Sequence, residues 1–212
     1  DLQWATISGG ASAINGLSDG TTSGTRNTGL GANALDDGSL SGTQNTAVGE
    51  SAATANTSGT NVNAFGYSAL GSNTTGSNNC AFGTEALGAL TTGSNNIAIG
   101  KETGLATTGS DNTFVGNEAG RANTSGQRNV YIGIDAGRSG TTNSENCIVG
   151  RKAGYSNTAS AITAIGTEAL YNNTGNNNTG LGAAALNANT SGANNTAVGR
   201  SAMPSNTTGY NN

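Results

Sequence analysis

Asn96-Ile97-Ala98-Ile99-Gly100, Asn45-Thr46-Ala47-Val48-Gly49 and Asn195-Thr196-Ala197-Val198-Gly199 are one five-residue phrase met three times. Its last residue, a glycine behind a large apolar residue, recurs at Gly31, Gly49, Gly66, Gly83, Gly100, Gly116, Gly133, Gly150, Gly166, Gly182 and Gly199. These anchors span 168 residues over ten intervals, a mean period of 16.8 with single spacings of 16, 17 or 18. The residue before each anchor is Leu30, Val48, Phe65, Phe82, Ile99, Val115, Ile132, Val149, Ile165, Leu181 or Val198, so all 11 are large and apolar. Three further columns share the register. Ala lies three after the anchor in ten units, Asn four before it in nine, and a second Gly seven before it in nine.

A fixed period of this size marks a repeat architecture. The apolar spacing lacks a 3.6 period, and so much interior Gly, Asn and Thr would make helices costly. Short stretches such as residues 96–99 suit strands, and the two glycine columns, with Gly49, Gly66, Gly83, Gly100, Gly116 and Gly133 among the anchors, suit turns needing positive φ. The expected fold is therefore all-β, a parallel β-solenoid or β-roll of 16–17-residue coils. About 11 coils at about 4.8 Å each would make a rod on the order of 50 Å long. Residues 1–20 are expected to form an off-register linker and residues 21–212 the array, cut short at its C-terminal end.

Two columns show volume exchange. The residue four after the anchor is Leu at Leu35, Leu70, Leu87, Leu170 and Leu186 but Gly at Gly104, Gly120, Gly137 and Gly154. In three of those four units the residue two before the anchor, elsewhere Ala or Gly, becomes Phe114, Tyr131 or Ile148. Close packing demands such exchange of positions that share one space. The column before the anchor, Leu30 to Val198, is expected to form the structural core as a continuous inward-facing file. Each coil still buries little, which makes a lone rod marginal and association of several chains about an axis the expected remedy.

Composition closes off other classes. One Trp, three Phe and five Tyr in 212 residues cannot fill several large cores. Eight Lys+Arg against twelve Asp+Glu leave no basic footprint for nucleic acid, and no run approaches a membrane span. With no histidine, the commonest general base is missing. No catalytic, cofactor-binding or metal-binding residue is expected.

The phrases quoted above resemble the N-[ST]-[VA]-A-[IV]-G core of YadA-like head repeats of trimeric autotransporter adhesins. The longer unit, with its Asn-Thr-Thr-Gly spacer and Ala-Leu step, looks more like the variant in phage tail fibres and appendages, and Leu2-Gln3-Trp4-Ala5-Thr6-Ile7-Ser8-Gly9-Gly10 is similar to linkers in such fibres. The period departs from the adhesin pattern, which is about 14 residues. The resemblance implies a left-handed homotrimer in an extracellular virion appendage, or alternatively on a bacterial cell surface. Its partners would be its own copies, adjoining fibre segments and a host-surface glycan. The function expected is structural and adhesive; a monomeric secreted ice- or glycan-binding solenoid is the alternative.

Four sets of side chains could carry chemistry. Cys80 and Cys147 lie three before their anchors, where Thr is commonest. Four coils apart, they are beyond disulfide reach within one chain. They read as small buried residues in place of Thr, with an interchain bridge or a nucleophile as the alternatives. Glu85, Glu102, Glu118, Asp135 and Glu168 stack two after the anchor, where they could hold a hard cation. The reading preferred is a solvated face countered by Lys101, Arg121, Arg138, Arg151 and Lys152. Asn27, Asn45, Asn79, Asn96, Asn112, Asn129, Asn146, Asn178 and Asn195 are expected to form an amide ladder, with sugar binding a secondary role. Thr22, Thr57, Thr74, Thr91, Thr107, Thr124, Thr141 and Thr190, nine before the anchor, are expected at a loop edge rather than on a flat ice-binding face.

Overall fold

The computed structural model describes residues 26–212 together with the backbone of strand β1 (Leu17–Ser18). Apart from β1, the expected linker over 1–20, and with it Thr22 of the threonine column, lies outside the described residues. The described chain is an all-β solenoid with coils of about 17 residues. One sheet of twelve strands runs in sequence order, from β1 and β2 (Thr28–Leu30) to β12 (Thr196–Val198). From β2 onward every pairing is parallel, whereas β1 runs antiparallel to β2.

The register is the sequence register: Val48 pairs with Phe65, Phe65 with Phe82 and Phe82 with Ile99. Each coil is tied to the next by the same bonds, the anchor Gly66 N–H donating to the Val48 carbonyl at 2.8 Å as Gly100 N–H donates to that of Phe82 at 2.8 Å. Each parallel strand is three residues long, and only its middle residue points inward. The interior file is thus Ala47, Ala64, Ala81, Ala98, Phe114, Tyr131, Ile148, Ala164 and Ala197, all buried.

This corrects the expected core. The file Leu30, Val48, Phe65, Phe82, Ile99, Val115, Ile132, Val149, Ile165, Leu181, Val198 is continuous, but in the single chain it faces outward and is half-buried to exposed, with Ile99 44% and Val198 66% accessible. The reason is the pleat: neighbouring residues point to opposite faces. The coil is also thin, so its two walls leave room for Ala on one side and Ala plus Leu on the other.

The volume exchange is seen directly. A β-carbon added to Gly137 would lie 2.6 Å from the Tyr131 ring, and one added to Gly154 2.6 Å from Ile148 Cδ1. Phe114 covers two glycines, since β-carbons at Gly104 and Gly120 would lie 2.7 and 2.8 Å from its ring. That explains why the unit of Gly104 keeps a small partner in Ala98: the ring of the next coil fills its space.

The two glycine columns do different work. The anchors take φ between 119° and 138°, the left-handed half of the map that favours Gly. Among the described residues the column seven before the anchor has no such φ, which corrects the expectation of two left-handed turns. A β-carbon at Gly76 or Gly93 would sit 2.2 or 2.3 Å from the carbonyl oxygen of the glycine one coil on, so close backbone stacking is what requires Gly there. Three further corners turn through positive φ in residues other than glycine, exemplified by Asn95 at 61°, Glu102 at 52° and Leu87 at 52°, the last of them shared with Gly104, Gly120, Gly137 and Gly154.

Candidate functional site

The polar interior is built from two asparagine ladders. In the expected one, each side chain reaches the next coil. Asn45 Nδ2 donates to the Gly59 carbonyl at 2.9 Å, and its Oδ1 accepts from Val62 N–H at 2.8 Å. Asn96 repeats the pattern with the Gly109 carbonyl and Asn112 N–H, both at 3.0 Å. Even where the column changes to Val62 or Ile162, the backbone N–H is satisfied from the coil before. Almost all of this column is fully buried, so the sugar-binding role considered for it is overturned.

The second ladder, seven after the anchor, escaped the sequence reading: Asn56, Asn73, Asn123, Asn157, Asn173 and Asn189 are all buried. Its amides bond along the rod, Asn73 Nδ2 to Asn56 Oδ1 at 3.0 Å and Asn189 Nδ2 to Asn173 Oδ1 at 2.7 Å. The bonds run from each coil to the one before. A gap therefore orphans the acceptor beneath it: Asn73 Oδ1, below Leu90, and Asn123 Oδ1, below Gly140, have no partner. The buried Tyr131 hydroxyl accepts from Asn143 and from Asn146 of the first ladder at 3.2 and 3.3 Å. Burial pushes that phenol up to about 12, although the two amides pull the other way.

Threonines line one edge, their hydroxyls donating to the next coil's carbonyl, as Thr57 does to Thr74 at 3.0 Å and Thr124 to Thr141 at 3.0 Å. The member in the coil of Gly116 is Thr108, not Thr107. Thr108 Oγ1 bonds the Thr124 carbonyl at 3.1 Å, whereas Thr107 is buried in the second asparagine row. A 16-residue coil loses its residue between this Thr and the next glycine, so counting back from the following anchor shifts the assignment by one.

The acidic row lies on a flank, threaded by arginines five after the anchor. Arg121 Nε meets Glu102 at 2.8 Å and Glu118 at 3.8 Å, and Arg138 Nε meets Glu118 and, at 3.3 Å, Asp135. The Arg121 guanidinium and then Lys101 hold Glu102 below the usual carboxylate range. These carboxylates form a solvated ion-pair ladder, and among the described residues no three acid or cysteine side chains converge as a metal-binding group.

The outward sheet face is different in character. Its central file is the all-apolar one, with Phe65 and Phe82 stacked at 4.5 Å and 3°. Beside it run the residues three before each anchor, with Ile97 42% and Val130 37% accessible. Cys80 and Cys147 sit in this second row and are partly exposed, so they are not buried within the chain as expected; partial desolvation raises the Cys80 thiol. Eleven strands at about 4.8 Å give a face about 48 Å long and, at three residues, about 10 Å wide. That footprint of roughly 500 Å², an all-apolar file beside a row rich in Thr, matches the largest patches of ordinary monomers, which are often functional. Compared with known proteins, the chain matches no family model, no curated protein and no solved structure.

Proposed function

We propose that this solenoid is a structural and adhesive segment of a homotrimeric extracellular fibre, a phage tail fibre or related virion appendage that presents or contributes to host-surface attachment. The observation that carries the reading is the uninterrupted outward file from Leu30 to Val198, which one chain leaves in contact with water. Three parallel rods in register would bring three identical files to one axis, with each residue meeting its own copies. The resemblance of the repeat phrase supplies the number three and the virion setting. The fibre would act as a stiff spacer, and weak contacts repeated along it would add through avidity.

Native mass measurement tests this. The wild type is expected near three times the 20.6 kDa chain mass. Phe82→Lys with Ile99→Lys, which places charge on the outward file without touching the interior, is expected to release the single chain with its β-type circular dichroism retained. A wild type that runs at 20.6 kDa at micromolar concentration would overturn the proposal.

A further inference from the structure

The arginine row on the flank changes chemistry over two coils. Arg121 and Arg138 are followed by Tyr155 and Tyr171, and then by Asn187. The tyrosine rings stack at 5.1 Å and 7°, continuing the ladder below them, where the Arg138 guanidinium lies 5.7 Å from the Tyr155 ring centre. Beside Tyr171 opens a cleft of about 280 Å³, lined by Lys152, Glu168, Tyr171, Asn172 and Asn187. Asn187 is held to the wall, its amide donating to the Glu168 carbonyl at 3.0 Å. Glu168 is paired with Arg151 at 3.1 Å, whereas Lys152 has no carboxylate within ion-pair distance among the described residues. No strand residue lines the cleft, so it lies off the outward sheet face.

From these features we infer that the cleft is a saccharide-binding site in which Tyr171 is the stacking platform for a pyranose ring. One face of the half-buried Tyr171 ring is covered by Tyr155, and the other, on the side of Asn187, is the face that would meet the apolar C–H side of a sugar. Asn172, Asn187 and Glu168 supply the mixed donors and acceptors that hydroxyls need, and Lys152 selects members bearing a carboxylate. A larger hollow of about 470 Å³ on the same flank has Gly71 and Gly88 in the tyrosine row, and with no ring there it lacks the platform. The inference rests on the attachment reading for its setting, and three copies about an axis would gain by avidity.

The test is an array of immobilised neutral and uronic- or sialic-acid-bearing pyranose oligosaccharides, probed with the full chain. Wild type is expected to bind carboxylated members best. Tyr171→Phe should keep binding, Tyr171→Ala should lose about tenfold or more, and Lys152→Gln should erase the preference for carboxylates. Binding to no member, or binding unchanged by Tyr171→Ala, overturns the site. Native mass of the same sample separates the two proposals. A trimer that binds no sugar removes the cleft and leaves the fibre; a monomer that binds removes the fibre and leaves the cleft.

Discussion

Replacing Phe114 by Ala empties the space that one ring fills over both Gly104 and Gly120. Phe-to-Ala changes in packed cores cost about 3–5 kcal/mol, and this ring is fully buried, which places it in that range. Adding Leu at positions 104 and 120 while Phe114 stays would drive β-carbons to 2.7 and 2.8 Å from its ring. Such overpacking costs about 1–3 kcal/mol. The two insults should partly offset each other when combined, because Phe114→Ala with Gly104→Leu and Gly120→Leu rebuilds the Ala81 and Leu87 arrangement in two more coils. The backbone already suits Leu there, since Gly104 and Gly120 turn at φ 59° and 61° and Leu87 at 52°. We expect the combined variant to be more stable than Phe114→Ala alone, with a favourable coupling of about 2–3 kcal/mol. Urea denaturation of all four proteins at one chain concentration reads it. Additive losses would refute the argument that the two columns share a single interior.

Asn112→Ala should cost about 2–4 kcal/mol, because it strips partners from buried Asn129 N–H and from the Gly126 carbonyl, and amide exchange at Asn129 should quicken. The buried Tyr131 phenol, raised to about 12, makes stability full below pH 10 and falling as pH rises towards 12. The loss should reach about 2–3 kcal/mol and be absent from Tyr131→Phe, as alkaline melting curves would show. Ala161 is exposed at φ 56°, in a corner where Asn61, Asn78, Asn95, Asn177 and Asn194 stand in other coils. Ala161→Asn should therefore stabilise by about 0.5–1 kcal/mol in urea denaturation.

The repeat exposed the coil, the register and the pairing of Phe114, Tyr131 and Ile148 with glycines, because each leaves a mark at fixed spacing. Parity was harder to read. Bulky residues before every anchor suggest an interior, yet strands of three residues in a thin coil put Ala inside and Val, Ile or Phe outside, the reverse of the usual size order. The second asparagine ladder was hidden by the coils that lose one residue, such as the one ending at Gly116. Its members align from the preceding glycine and not from the following one. The cleft beside Tyr171 was illegible because its residues lie on three successive coils and nothing in a single unit marks them.

The in-register stacking from β2 to β12 also fixes how the rod answers force. Sideways load is shared by many parallel bonds at once, whereas tension between the ends falls on one terminal coil. A coil that peels takes no distant contact with it, because its partners are only the coils on either side. Extension should then proceed by a run of near-equal steps, each freeing about 17 residues, or about 58 Å of chain, so that the rod dissipates a sustained tug instead of snapping at one threshold.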